Sequence, residues 1–230
     1  MKRAVVAWIM ALLFLVGFSS GNAAQQPLVL MLMPSGGVMG AEFFPVLERL
    51  EELGIAVDVA AGEIGPYNWF YEESLPRQDG GGEALARYEY HVTLTIDDAM
   101  LEDYDGILIA PSFAHSFWVE PGANRAIELL HEAASQGIPL GGMSYGVWVL
   151  LDSGILDGRT ACNWPHPQGI VKPELHWSGY LSKLDVEFVL GCVHTDYGTD
   201  GQSPIVTANY KCPAGFAEAI AELVVSPDIE

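Results

Sequence analysis

The stretch IPLGGMSYGVWVLLDSG, residues 138–154, decides how this chain is read. Ile138 to Met143 is an apolar run of strand length, and the apolar segment after it is of helix length and closed by Gly154. Between them, Gly142-Met143-Ser144-Tyr145-Gly146 forms the pattern G-x-S-x-G. Small residues on either side let a backbone turn sharply from strand to helix. The apex side chain is then held at the C-terminal edge of a sheet, beside the N–H groups of the next helix. Ser144 is therefore a candidate nucleophile or ligand contact. Tyr145 is a neighbour that can donate a hydrogen bond or pack.

Strands and helices alternate on both sides of this turn. PLVLMLMP (27–34) is a continuous apolar run, as suits a strand buried on both faces. A glycine turn leads into a helix carrying Phe43, Leu47 and Leu50 at helical spacing and stopped by Gly54; IAVDVAAG (55–62) is the next strand. This strand-helix-strand unit predicts a parallel sheet. Residues 63–90, where IGPYNWFYEES sets four aromatics beside Gly and Pro ahead of a glycine-rich tip, read as an irregular insertion. Further on, the pattern predicts a buried strand at Gly106 to Ala110, a helix ending at Gly137, a short strand in RTACNW, and a Trp/Pro/His-rich connection from Trp164. DVEFVLGCVHTDYGTDGQSPIVTANY (185–210) reads as a hairpin turning near Asp200-Gly201, and PAGFAEAIAELVV as a closing amphipathic helix. The fold class expected is α/β, with one domain over residues 24–230.

Composition narrows the function. Residues 1–23 have the charged start, short apolar run and small-residue end of a secretory signal peptide, cut after Ala23 or alternatively Ala24; an uncleaved N-terminal anchor is the other reading. Export to a periplasmic or extracellular space follows from the first. No later stretch is long enough to span a bilayer, so no membrane contact is expected after cleavage. Lys+Arg number 10 against Asp+Glu 30, a net charge of −20 that repels nucleic acid and anionic lipid. The acids are spread out, which favours a solubility role over an acidic binding tail. There is no G-x-G-x-x-G and no zinc-ligand spacing, so neither cofactor nor metal is expected. Of the three cysteines, Cys192 and Cys212 flank the hairpin and are the candidate disulfide, leaving Cys162 as a buried apolar residue or a displaced reactive thiol.

The wider run from Tyr104-Asp105-Gly106 through Gly137-Ile138-Pro139, Gly146-Val147-Trp148-Val149-Leu150, Gly154-Ile155-Leu156 and Gly158-Arg159-Thr160 resembles the ThiJ/PfpI family of the class I glutamine amidotransferase-like superfamily. PIVTANYKCPAGFAEAIAELV is similar to the family's closing segment, and the first strand-helix-strand unit places Glu42 at the family's active-site glutamate. The resemblance implies a flavodoxin-like three-layer α/β/α sandwich around a mainly parallel sheet, and is compatible with a homodimer. It also implies departures. Ser144-Tyr145 stands where the family has Cys-His, and Pro111-Ser112-Phe113 where its oxyanion turn is glycine-rich. His115, Trp164 and His166 fall beside the implied pocket.

These departures bear on chemistry. A cysteine's free pKa of about 8.5 lets it ionise beside a helix N-terminus. A serine hydroxyl needs a positioned base, and a carboxylate such as Glu42 is a poor one near neutrality. Three readings follow. Glu42 and Ser144 bind an unidentified small molecule without thiol catalysis. Alternatively, His115, His166 or His194 completes a serine-dependent hydrolase of amidase, esterase or peptidase type, with Asp185 in chain order for an acid. Or the pocket is vestigial and the protein acts through its surface.

Overall fold

The computed structural model describes residues 26–34, 38–67, 70–71, 89–111, 122–162, 185–199 and 201–225. At its centre stands β1 (Leu28–Leu32), every one of whose last four residues is buried. Its side chains alternate between two cores: Leu30 and Leu32 enter one, Val29 and Met31 the other. That two-sided burial is why the run is apolar without alternation. The strand pairs in parallel with β3 (Ala56–Ala61) on one side and β8 (Gly106–Ile109) on the other. Beyond them lie β7 (Leu94–Thr95), paired to β3, and β9 (Leu140–Met143), paired to β8.

The seven-stranded sheet has the order β12-β13-β9-β8-β1-β3-β7, with β12 (Val193–Asp196) and β13 (Ile205–Ala208) at one edge. All its pairings are parallel except β12 with β13. Helices α1 (Gly40–Glu52) and α4 (Pro213–Val225) cover one face through Phe43, Val46, Phe216 and Ile220. Helices α2 (Ala123–Gln136) and α3 (Gly146–Asp152) cover the other through Ala126, Leu129, Val149 and Leu150. This is the flavodoxin-like α/β sandwich. Gly137, at a φ of 74°, ends α2 and donates its N–H to Ala133 O, the left-handed cap that glycine supplies without a Cβ clash.

Two regions depart from the expected outline. The ends of the 63–90 stretch form short strands, β4 (Gly65–Tyr67) antiparallel to β6 (Tyr90–Val92), while β2 (Val38–Met39) pairs with β5 (Phe70–Tyr71). The expected hairpin over 185–210 is only partly one. Val193–Asp196 pairs with Ile205–Ala208, but β11 (Glu187–Val189) pairs in parallel with β10 (Thr160–Cys162) instead. The segment of β11 is separated from that hairpin by Leu190-Gly191-Cys192.

Candidate functional site

Strand order places the site. From β1 the chain moves outward to β3 and β7, then returns to β8 on the opposite side of β1. The order therefore reverses between β1 and β8, and in open α/β sheets it is at the C-terminal ends of strands flanking such a switch that ligands bind. The Met39 N–H donates to Pro111 O at 2.8 Å, which ties the start of α1 to the end of β8. Glu42 lies in the first turn of α1 and is 5% exposed. Ser144 follows β9, the strand next to β8, and its N–H donates to Ala208 O at 2.9 Å. Glu42 and Ser144 thus share the C-terminal edge of the sheet.

The turn at Ser144 is tightly built. A Cβ on Gly142 would stand 2.8 Å from Gly146 O, so the strand can meet the following helix only through glycine. A Cβ on Gly146 would stand 3.0 Å from Ile109 O, which shows how closely α3 begins against β8. Ser144 itself has a φ of 56°, the one positive φ of a non-glycine residue among the described residues. It is 2% exposed, and its Oγ has no hydrogen-bond partner among the described residues. A left-handed backbone and an unmet buried hydroxyl both cost free energy, of order 1–3 kcal/mol each. Tyr145 is half-buried and, like Trp148, packs onto the core beneath α2 and α3. Ser112, Phe113, His115, Trp164 and His166 lie outside the described residues.

The other candidates separate by edge. His194 sits in β12 opposite Thr207 and is half-buried. Asp185 is exposed at the opposite edge: it precedes β11, its N–H donates to Asp157 Oδ1 at 2.9 Å, and its carbonyl accepts the Gly158 N–H at 2.7 Å. It cannot serve a Ser144 triad from there, whatever its place in chain order.

Sequence reasoning passed over a polar neighbourhood next to the elbow. Asn209 follows Ala208, and its side-chain amide donates to Gly191 O at 2.7 Å while its Oδ1 accepts the Lys211 N–H at 2.9 Å. Thr207, fully buried, accepts the Cys162 N–H at 2.6 Å through its Oγ1. The available signal was a threonine and an asparagine interrupting the apolar run PIVTAN. Cys192 and Cys212 are joined as a disulfide, with Cα atoms 5.7 Å apart. Cys162 is buried, and burial pushes its thiol pKa up. Among the described residues no group of three or more His, Cys, Asp or Glu is placed to hold a metal ion, and no helix is long and apolar enough to cross a membrane.

Comparison with known proteins adds four findings. The model of the DJ-1/PfpI family matches residues 28–223. The fold is similar to a ThiJ/PfpI domain protein from Brachyspira murdochii, with a TM-score of 0.64 at 15% identity over 86% of this chain and 96% of that one. It is similar too to DJ-1beta of Drosophila melanogaster, with a TM-score of 0.61 at 16% identity over 86% and 90% of the two chains. A curated relative, phosphoribosylformylglycinamidine synthase subunit PurQ from Pyrococcus furiosus, is 31% identical over 78 residues. That match spans 29% of this chain and only 35% of the relative's length.

Proposed function

Because the chain belongs to the DJ-1/PfpI family, we propose that it is an exported, single-domain member whose elbow, with Ser144 and Glu42, binds a small molecule without thiol catalysis. The observation that carries this reading is Ser144: strained, 2% exposed, and with an Oγ that no described residue satisfies. A group kept in such a state by the surrounding packing is ready to bond an incoming ligand. Among the described residues no base is in hydrogen-bond contact with the hydroxyl, and a serine nucleophile requires one. Export is supported by the pattern of residues 1–23 and by the Cys192–Cys212 disulfide, which suits an oxidising compartment. A homodimer without nucleic-acid or membrane partners belongs to the same proposal.

A second reading, serine-dependent hydrolysis, is favoured by the left-handed φ of Ser144, because a nucleophile elbow holds its apex residue in that strained turn. One experiment separates the two. A fluorophosphonate probe is applied to the purified mature protein, with Ser144→Ala as control. The binding reading expects no labelling of folded protein on either side of neutral pH. Labelling that disappears in the variant establishes an activated serine and overturns it.

A further inference from the structure

We propose that Cys192–Cys212 is a redox-active disulfide that exchanges with a small-molecule thiol, Cys192 being the sulfur attacked and Cys212 the leaving thiolate. The inference does not depend on the role of Ser144.

The two cysteines occupy unlike settings. Cys192 is exposed, just ahead of β12. Cys212 is 7% exposed and directly precedes Pro213, the first residue of the 13-residue helix α4. Its carbonyl accepts the Phe216 N–H at 3.0 Å, which makes it the residue that opens the helix. A thiolate at such a position is stabilised by the helix's unpaired N–H groups and partial positive charge. Access therefore selects Cys192 for attack, and attack there makes Cys212, at the start of the helix, the departing sulfur.

The surroundings keep the pair aligned when the bond opens. The Asn209 N–H donates to Cys192 O at 3.0 Å, its side chain holds Gly191 O, and the Cys212 N–H donates to Asn209 O at 3.2 Å. The β12–β13 ladder runs alongside, from Val193↔Ala208 to Asp196↔Ile205. The third cysteine is close but does not take part. Cys162 Sγ donates to Gly191 O at 3.1 Å, one residue from Cys192, yet it is buried and its raised pKa keeps it a thiol.

The step balances with two equivalents of thiol. A thiolate attacks Cys192 Sγ and forms a mixed disulfide. The Cys192–Cys212 bond breaks, and its electron pair leaves on Cys212 Sγ, which then takes a proton. A second thiolate attacks the small molecule's sulfur in the mixed disulfide and releases Cys192, which is protonated in turn. The protein is reduced by two electrons, and the two small thiols are oxidised to their disulfide.

The test uses glutathione on the intact folded protein, followed by acid quench, N-ethylmaleimide alkylation in denaturant and peptide mapping by mass spectrometry. The expected result is a glutathione adduct on Cys192 with maleimide on Cys212, the Cys192 adduct exceeding any on Cys212 by about ten-fold or more. Cys162 carries only maleimide. Circular dichroism of the same samples stays that of folded protein. An adduct mainly on Cys212, an adduct on Cys162, or a bond that resists glutathione until the protein is denatured overturns the proposal.

Discussion

The two ends of β13 bury polar groups in opposite ways. At its N-terminal end, Arg159 donates through Nε to Asp196 Oδ1 at 3.0 Å and through Nη2 to the carbonyls of Asp196 and Ser203 at 3.0 and 2.9 Å. Asp196 accepts in addition the N–H groups of Thr160 at 2.6 Å and Gly198 at 2.7 Å. Ser203 Oγ donates to Ile138 O. At the C-terminal end, Ser144 sits in a strained conformation with an unmet hydroxyl. A buried charge persists only when its partners are supplied in full, so the first cluster is a fastening that clips β10 to the sheet. The second contributes nothing to stability and has to be held in place by the rest of the fold. That contrast is what supports proposing the C-terminal edge, rather than the more highly charged one, as the ligand-binding end of the strand.

The largest effect belongs to the fastening. Asp196→Asn leaves the Arg159 guanidinium, only 7% exposed, without its counter-charge. The expected loss is about 3–5 kcal/mol in urea denaturation, since one partner of a buried pair has been removed. A loss like that of a surface pair, below about 1 kcal/mol, would break the comparison. Acid should act through the same group. Burial pushes the Asp196 carboxyl up, but the hydrogen bonds from Arg159, Thr160 and Gly198 and the guanidinium charge outweigh it, and its pKa is held below the ordinary value. A depressed folded-state pKa contributes stability that is complete above the unfolded value of about 3.9 and is lost as pH falls through the folded value. Urea midpoints taken down through this window should fall more steeply in the native protein than in Asp196→Asn.

Much of the sheet could be read from sequence because its strands are continuous apolar runs between turn residues. Leu28–Leu32, Gly106–Ile109 and Leu140–Met143 all have this form. The fastening could not. Arg159 and Asp196 are separated by 36 intervening residues, and β10 and β11 are three residues long with no alternation to assign a partner. Asp185 illustrates the same limit. Chain order places it after Ser144 as a hydrolase acid would be, but only the parallel pairing of β11 with β10 shows that it lands at the other edge. The elbow was legible because glycine spacing is a steric requirement, whereas the unmet hydroxyl is a property of what surrounds it.

The middle effect tests that steric requirement. In Gly142→Ala the new Cβ meets the Gly146 carbonyl at 2.8 Å, an atom of the backbone that cannot rotate away. Overpacking of this kind costs about 1–3 kcal/mol. The cost should appear in the urea midpoint. A neutral Gly142→Ala would mean that the turn can open, and with it the strain at Ser144.

The smallest effect bears most directly on what Ser144 is for. Ser144→Ala removes the hydroxyl but keeps a Cβ at a φ of 56°. Ser144→Gly removes the hydroxyl and the left-handed penalty together. If the residue is retained for ligand contact, both variants should be more stable than the native protein. Glycine should exceed alanine by about 1 kcal/mol, the cost of a Cβ in that conformation. Equal midpoints for the two variants would mean that the turn relaxes in solution. A drop for both would mean that the hydroxyl is satisfied and belongs with the fastening. The order Gly, then Ala, then Ser is the signature of a residue kept against stability, and a ligand that raises the native midpoint but neither variant's would be the one the hydroxyl is held for.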